Sequence, residues 1–268
     1  MSHAAKSQGI CLVLGAGGFR GLAHVGILRG LQRLQVAVES IIGVSMGGLV
    51  AAFHAGLGHS PEELERRFSH LSTTALFGLG WSLYRGAKPR VGDVTVVGAL
   101  RGILEELQQL DLQRLHFGIR SLGLLALDLS SGREVFAATG RACAVSPGAV
   151  ALGGASIPGL FPWVRQEHEG GVVRMVDGGL SHSLPVERAL EPPFSATKIV
   201  AVDLRVRRGF RERDPDRWQG LERQHPGRIV RLQPRVDGAG TVFFRSHHAP
   251  DLVRWGEEAV LERREALC

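Results

Sequence analysis

The sequence predicts an α/β fold with a largely parallel central sheet, because short apolar segments alternate with amphipathic helical segments. Residues 9–15 form an apolar, β-prone run that ends in glycine, which is typical of a buried strand. Apolar residues at helical spacing follow over residues 22–34. The same alternation recurs at once, with a second buried strand over residues 38–43 and a second helix over residues 46–57.

The rest of the chain continues this alternation. Ser60, Pro61 and Glu63 predict a helix start, as N-cap, first helical residue and capping-box partner. Asp93 can cap a further helix, and the irregular, glycine-rich residues 73–91 predict a loop or flap. The other predicted elements are two strands joined by a Ser-Ser-Gly turn within residues 118–140, strands at 172–179 and 198–206, and a last helix that begins near Asp251.

The composition predicts a globular, cytoplasmic protein. A chain of 268 residues with 44% hydrophobic residues can bury one large core or two, and without a clean boundary we predict a single domain over residues 1–268. The N-terminal residues lack the layout of a signal peptide, and no apolar run is long enough for a membrane span. The three cysteines are far apart and fit no metal-ligand spacing, which predicts reduced thiols.

The excess positive charge is concentrated in one segment. The net charge is +6, and residues 205–235 carry ten arginines against four acidic residues, which is the same balance. One interpretation is a solvated surface segment. The other is a patch that contacts an anionic membrane surface peripherally, with Trp218 as an interfacial anchor. Nucleic acid is not expected as a partner, because no binding motif accompanies the charge.

Ser45 lies in the pattern Gly43-Val44-Ser45-Met46-Gly47, directly after the second predicted strand. A serine hydroxyl is a good nucleophile only when a base removes its proton and the backbone exposes its oxygen. A strand that turns tightly into a helix gives this exposure, and glycines on both sides let two backbones approach. The pattern is weak by itself in a glycine-rich chain, so Ser45 is either a candidate nucleophile or a capping residue in a glycine turn.

A second glycine-rich segment, residues 15–21 with the sequence GAGGFRG, connects the first strand and the first helix. A dinucleotide-binding loop needs glycine where Arg20 stands, and a P-loop needs a following Gly-Lys-Ser/Thr, so neither is predicted. The segment instead offers backbone N–H groups at a helix N-terminus beside a cation. This suits an anion such as the tetrahedral oxyanion of an ester hydrolase. The alternative is simple packing glycine between a strand and a helix.

Asp177 ends another predicted strand and is followed by Gly178 and Gly179. Because catalytic groups in an α/β sheet gather at the carboxyl ends of the strands, we expect Gly15, Ser45 and Asp177 to converge. An aspartate beside two glycines can approach a serine closely and accept its proton directly. Asp-Gly-Gly alone usually indicates a turn, but the three features together are specific.

These three motifs resemble those of the patatin-like phospholipases. That family combines a G-x-G-x-x-[KR]-G oxyanion loop, a G-x-S-x-G elbow and a later D-G-[GA] strand end, and this chain has all three in the same order. The segments GLAHVGIL after the loop and ASIPGLFPWV ahead of Asp177 extend the likeness. The resemblance covers about residues 8–206, which leaves the arginine-rich C-terminal segment, residues 205–268, as part of the domain or appended to it.

The resemblance implies a three-layer α/β/α sandwich and hydrolysis of acyl esters, usually of lipids, by a Ser-Asp dyad without histidine. Ser45 would attack the ester carbonyl to form an acyl-enzyme, and Asp177 would act as general base and then activate water. No metal and no cofactor is required. The implied oxyanion loop comprises Gly15, Gly17, Gly18, Phe19 and Arg20, with Arg20 reinforcing it. The glycines that shape the elbow and the strand end are Gly43, Gly47, Gly178 and Gly179.

One position departs from the family pattern. Where the family commonly has asparagine after Asp-Gly-Gly, this chain has His182. We expect His182 to make a similar hydrogen bond beside the site, and a role in proton transfer is the second interpretation. His24 lies among apolar residues of the first helix, which favours a packing role over a catalytic one.

Two other functions stay open from the sequence. One is an α/β-hydrolase esterase, in which Ser45 would pair with Asp203 and with His225, His247 or His248. The elbow comes so early that too few strands precede it for that fold. The other is a patatin-like scaffold that binds lipid or a protein partner without turnover.

Overall fold

The computed structural model describes residues 9–69, 94–204, 215–236 and 249–268. Several sequence-based expectations lie outside these residues. They are the loop or flap at residues 73–91, the capping Asp93, and the two triad candidates His247 and His248.

Within the described residues, eight strands form one mixed sheet. The strands are β1 (Ile10–Leu14), β2 (Val38–Val44), β3 (Ser121–Asp128), β4 (Glu134–Ala138), β5 (Val164–His168), β6 (Gly171–Asp177), β7 (Lys198–Val202) and β8 (Ile229–Leu232). The order β3-β2-β1-β7-β8 is parallel throughout, in line with the predicted largely parallel sheet. Strands β4 and β6 pair with β3 in the antiparallel direction, and β5 pairs with β6 likewise.

Helices follow most of the strands. They are α1 (Ala23–Arg33), α2 (Met46–Ala51), α3 (Pro61–Ser69), α4 (Val94–Leu107), α5 (Pro147–Gly154), α6 (Glu187–Leu190), α7 (Pro215–Gln224), α8 (Ala249–Glu262) and α9 (Arg264–Leu267). A π-helical turn, Ala52–Gly56, extends α2, and 3-10 helices span Gly18–Leu22 and Gly178–Leu180. None of the described helices has the length and apolar character needed to cross a membrane.

The predicted capping box begins α3. The Ser60 N–H donates to Glu63 Oε2 at 2.8 Å, and the Glu63 N–H donates to Ser60 Oγ at 3.2 Å. Two N–H groups that the helix itself cannot bond are thereby satisfied. The helix start read from Ser60, Pro61 and Glu63 is confirmed.

Two hydrophobic cores lie on opposite faces of the sheet, because successive strand residues point to opposite sides. Leu12 and Leu14 of β1 pack in the core covered by α1, α2, α5 and α8. Cys11 and Val13 pack in the smaller core covered by α6 and α7. The molecule is therefore a three-layer α/β/α sandwich, which confirms the predicted fold class.

The C-terminal segment is built into this fold. Strand β8 pairs with β7, and α8 packs along α1. The two helices touch through glycine: a Cβ at Gly26 would lie 1.8 Å from the Val253 carbonyl oxygen, and one at Gly256 would lie 2.0 Å from the Ala23 carbonyl oxygen. Among the described residues, the C-terminal segment therefore packs directly against the motif region.

Trp218 is not an interfacial anchor, and that prediction was wrong. Its side chain is 8% exposed and packs in the smaller core. The Arg231 guanidinium lies 4.7 Å from the Trp218 ring centroid, which is a cation–π contact. Arg228 donates through Nε to the Ala196 carbonyl at 2.8 Å. Some of the charge in the arginine-rich segment therefore holds the segment to its own fold.

The contact between α1 and α8 predicts a stability effect. Gly26→Ala should lower the free energy of unfolding by about 1–3 kcal/mol, because the added methyl group must push the helices apart. Gly220 in α7 is the matched control, since a Cβ there meets no atom within 4 Å. Gly220→Ala should be neutral or stabilise by about 0.5–1 kcal/mol. Denaturant unfolding measures both, and a Gly26→Ala protein as stable as wild type would contradict the close approach.

Candidate active site

Ser45 occupies the tight turn between β2 and α2. Its φ of 56° and ψ of −130° form a conformation that costs about 1–3 kcal/mol for a residue with a side chain. The chain passes so close to itself here that only glycine fits on either side. A Cβ at Gly43 would lie 2.4 Å from the Gly47 carbonyl oxygen, and a Cβ at Gly47 would lie 2.4 Å from the Leu14 carbonyl oxygen.

Asp177 reaches Ser45 because β2 and β6 run toward each other along the same edge of β3. Val44, the last residue of β2, pairs with Leu125 of β3. Asp177, the last residue of β6, pairs with Ala126, the β3 residue that follows Leu125. Because β4 occupies the other edge of β3, the carboxyl ends of β2 and β6 meet.

This convergence has a different cause from the one the sequence suggested. The expectation rested on strands that run in one direction, whereas β6 is antiparallel to β3. Strand β3 continues past the end of β2 through Ala126 to Asp128. Strand β6 pairs with that extension and ends at Asp177, so its carboxyl end arrives at the same edge from the opposite direction.

The two side chains form a short hydrogen bond in a buried position. Ser45 Oγ donates to Asp177 Oδ2 at 2.6 Å, and the Gly179 N–H donates to Asp177 Oδ1 at 2.7 Å. Ser45 is 4% exposed and Asp177 is 6% exposed. The chain then turns away at Gly178, where a Cβ would lie 2.5 Å from the Leu125 carbonyl oxygen.

Burial raises the pKa of the Asp177 carboxyl above its ordinary value. The hydrogen bonds from Ser45 and Gly179 favour the charged form and offset only part of that effect. A carboxylate with a raised pKa binds a proton more readily, so Asp177 is a stronger base than an exposed aspartate.

The glycine-rich loop is fastened to two neighbouring segments. The Gly15 N–H donates to the Val202 carbonyl at 3.2 Å, and the Ala16 N–H donates to the Ser183 carbonyl at 2.8 Å. The first bond reaches the end of β7 and the second reaches the segment after Asp177. Because its N–H is already used, Gly15 is a framework residue of the loop and not a free oxyanion donor, which corrects its inclusion in that set.

Close packing fixes the rest of the loop against the elbow and the end of β7. A Cβ at Gly17 would lie 2.7 Å from Leu204 Cδ1, and a Cβ at Gly21 would lie 2.2 Å from Met46 Cγ. Gly18 has a φ of 55°, which favours glycine. The glycines thus bring the loop directly onto the residue that follows Ser45.

The candidate oxyanion donors are the N–H groups where the Gly18–Leu22 helix begins. The first N–H groups of a helix have no acceptor within it. Within the described residues, no backbone carbonyl accepts a hydrogen bond from the N–H of Gly17 or Gly18. Phe19, the next residue, is buried in the larger core. The N–H groups of Gly17 and Gly18 are therefore the candidate donors to an anion.

The side chains of Arg20 and His24 fix the glycine-rich loop through hydrogen bonds to backbone carbonyls. Arg20 is 6% exposed and donates through Nη1 to the Leu204 carbonyl at 3.1 Å. His24 is fully buried, and its Nε2 lies 2.8 Å from the Gly15 carbonyl oxygen. Burial lowers the pKa of His24 to about 4, so the ring is neutral at physiological pH and its Nε2–H is the donor.

His182 lies in the segment after Asp177 but bonds to β4. Its Nδ1 is 2.7 Å from Glu134 Oε1, and Arg188 Nη2 donates to Glu134 Oε2 at 2.8 Å. These bonds hold the 178–188 segment against the sheet. Within the described residues, His182 has no hydrogen bond to Asp177.

The geometry disfavours a Ser-His-Asp triad. Asp203 accepts a hydrogen bond from Arg231 Nε at 3.2 Å and is 3% exposed. Ser45 bonds to Asp177, and no described histidine is hydrogen-bonded to Ser45. His225 follows α7, which covers the smaller core.

The described residues also contain a pocket away from Ser45, but no cluster of metal ligands. A pocket lined by Glu39, Ser40, Arg120 and Ser121 lies at the amino ends of β2 and β3, at the opposite end of these strands from Ser45. In the described part of the chain, no three His, Cys, Asp or Glu side chains are grouped so as to hold a metal.

Sequence reasoning missed the backbone acceptors that position the loop. The carbonyls of Ser183, Val202 and Leu204 carry no side-chain signature, since any residue could supply them. A signal in the sequence exists only for His24, which is a polar residue among the apolar residues of the first helix.

Fold and site together define a class: an α/β/α protein with a buried Ser-Asp pair at a strand–turn–helix elbow. The sequence profile of the family described as patatin-like phospholipase matches residues 12–190. The chain belongs to this family.

Individual relatives resemble parts of the chain. An uncharacterized NTE family protein of Mycobacterium bovis is 29% identical over 188 residues, which cover 68% of this chain and 45% of the relative. The lysophospholipase NTE1 of Pyricularia oryzae is 46% identical over 50 residues, 19% of this chain and 3% of the relative. The chain thus spans less than half the length of these two relatives.

A solved structure has the same fold. VipD from Legionella pneumophila matches with a TM-score of 0.58 at 12% identity, covering 97% of this chain and 67% of VipD. At this identity the likeness concerns the fold alone.

The buried His24 predicts a pH effect on stability. Folding lowers its pKa from 6.5 to about 4, so between these values the unfolded chain binds a proton that the folded protein does not. The stability is fully present above pH 6.5 and falls, by about 3 kcal/mol in total, as the pH drops toward 4. His24→Gln should show a shallower loss than wild type in denaturant unfolding across this range. The exposed-histidine control, His116→Gln, should follow wild type, and an unchanged slope in His24→Gln would refute the assignment.

Proposed function

We propose that this protein hydrolyses acyl esters of lipids through an acyl-enzyme on Ser45, in the manner of a phospholipase A or a lysophospholipase. The observation that carries the proposal is the 2.6 Å hydrogen bond between Ser45 Oγ and Asp177 Oδ2 at a strained elbow. Membership of the patatin-like phospholipase family supports a lipid substrate.

The first half-reaction uses the dyad and the glycine-rich loop. Asp177 Oδ2 takes the Ser45 proton while Ser45 Oγ attacks the ester carbonyl carbon. The carbonyl oxygen becomes an oxyanion and accepts hydrogen bonds from the N–H groups of Gly17, Gly18 and Phe19. Each such donor is worth about 3 kcal/mol in the transition state. Arg20 acts indirectly, by holding the loop in place.

The second half-reaction returns the enzyme to its starting state. It begins after the first tetrahedral intermediate has collapsed to the acyl-enzyme and the leaving alcohol has taken the proton from Asp177. Water then gives a proton to Asp177 and attacks the acyl carbon of the Ser45 ester. The second intermediate releases the fatty acid, and Ser45 Oγ regains its proton.

The two alternatives from the sequence receive less support. A Ser-His-Asp triad would need a histidine hydrogen-bonded to Ser45, and the bond that Ser45 makes is to Asp177. A silent lipid-binding scaffold would have no use for the strain at Ser45 or for the buried Asp177 carboxyl, both of which lower stability. A fluorophosphonate probe, which reacts with an activated serine, distinguishes an enzyme from a silent scaffold. Folded protein that the probe never labels would be a scaffold.

The dyad predicts matched losses of activity. Ser45→Ala and Asp177→Asn should each lower the initial rate on short- and long-chain acyl esters by roughly a thousandfold or more. The double variant should be no worse than either single one, because the two groups act as a unit. His182→Gln and His225→Gln are controls that should keep most of the activity. Substantial turnover by Ser45→Ala would overturn the mechanism.

The raised pKa of Asp177 predicts the pH profile. Asp177 must be ionised to accept the proton, so kcat/KM should fall as the pH drops through its pKa, with a midpoint above the ordinary value of 3.8. The measurement is kcat/KM for a soluble short-chain ester against pH, with recovery of activity at neutral pH checked at each point. A midpoint at or below 3.8, or one that moves in His182→Gln, would contradict Asp177 as the base.

A further inference from the structure

Two large apolar side chains are exposed beside the strand that carries Asp177. Trp163 is 51% exposed and Leu129 is 52% exposed. Isolated exposed apolar residues are common on soluble proteins, so their position decides whether they matter. Both lie next to β6, within a few residues of its catalytic end.

Strand register places these side chains on either side of β6. Trp163 directly precedes Val164, which pairs with Met175 of β6, two residues before Asp177. Leu129 lies opposite Arg174, and its N–H donates to the Arg174 carbonyl at 2.7 Å. Because neighbouring strands are about 4.8 Å apart, the two chains that flank β6 lie about 10 Å from each other.

The chain before Trp163 is also apolar. Residues 157–163 have the sequence IPGLFPW, in which Pro158, Pro162 and Trp163 are exposed. Phe161 is half-buried and packs against the larger core, which fixes this turn on the body of the molecule. The apolar surface is therefore held in place by packing beneath it.

Cationic side chains surround this apolar surface. Arg165 and Arg174 form a cross-strand pair, and Arg133 lies at the end of the turn that contains Leu129. All three are exposed. Arg165 pairs with the exposed Glu167 at 2.7 Å, and Arg174 Nη1 donates to Ser130 Oγ at 3.0 Å. The net charge of this set is positive.

We propose that Leu129 and Trp163, with Arg133, Arg165 and Arg174, form a docking surface for an anionic phospholipid bilayer; we name these five residues the β6 rim. Tryptophan is favoured at the membrane interface, and arginines near it are attracted by anionic headgroups. The proposal rests on the proposed function, since these residues flank the strand that carries Asp177. The β6 rim replaces Trp218 as the interfacial contact.

Vesicle binding tests the β6 rim in a Ser45→Ala background, which prevents turnover. Co-sedimentation is measured with phosphatidylcholine vesicles that contain no phosphatidylserine or about 30% phosphatidylserine. Leu129→Ala with Trp163→Ala should weaken binding to the anionic vesicles about tenfold. Leu261→Ala is the matched control, because Leu261 is 43% exposed on α8 and outside the rim.

Charge reversal separates the two contributions. Arg165→Glu with Arg174→Glu should weaken binding to anionic vesicles about tenfold and leave phosphatidylcholine binding unchanged. Arg120→Glu, which lies before the amino end of β3 and far from Leu129 along that strand, should follow the parent protein. In addition, quenching of tryptophan fluorescence by brominated lipid should be strong in the parent and reduced in Trp163→Phe. Equal binding by rim variants and controls would overturn the proposal, as would unchanged quenching in Trp163→Phe.

Activity of the protein with Ser45 intact distinguishes this proposal from the proposed function. Leu129→Ala with Trp163→Ala should keep kcat/KM for a soluble short-chain ester and lose about tenfold on vesicle substrate. Vesicle binding through the rim by a protein that hydrolyses no ester would refute the function and leave the docking surface. If the rim variants instead convert a dimer to a monomer in sedimentation velocity without changing vesicle binding, the rim is an interface between copies and the membrane proposal is wrong.

Discussion

The candidate site depends on two strands that end against each other on one edge of β3. Side chains alternate between the faces of a sheet, so a shift of one residue between β3 and β6 would turn Asp177 to the other face. The observed register, with Asp177 opposite Ala126 and Val44 opposite Leu125, brings the carboxylate to the serine hydroxyl. Gly178 preserves that register, because a larger residue would collide with the Leu125 carbonyl.

Around this contact the fold holds groups that are unfavourable in isolation. Ser45 adopts a strained backbone conformation, and Asp177 keeps a carboxyl group where burial disfavours its charge. Neither would persist without rigid surroundings, which the glycine contacts, the bonds to Gly15 and Ala16 and the two cores supply. Part of the stability gained in the cores therefore maintains the strained turn at Ser45 and the buried Asp177 carboxyl.

Elements with a strong local pattern were predictable, and those defined by distant partners were not. Strands β1 and β2 and the capping box of α3 follow from apolar runs and from residues close in sequence. Helix α5 has the sequence PGAVALGG, which is apolar on all sides and so shows no helical period. Strand β5 reads VRQEH, a polar segment at the sheet edge. The apolar residues of β6 indicate a strand but not its direction. The sequence therefore could not predict that the carboxyl ends of β2 and β6 meet. The three motifs located Ser45 and Asp177, while the carbonyls that hold the loop depend on tertiary structure.

The family match ends at residue 190, yet the support for the glycine-rich loop continues beyond it. Gly15 and Arg20 bond to the carbonyls of Val202 and Leu204, and Gly26 packs on α8. A fragment limited to residues 12–190 would retain Ser45 and Asp177. It would lose β7, which pairs with β1, and α8, which packs against α1. The recognisable motif region therefore ends before the segments that hold the glycine-rich loop in place.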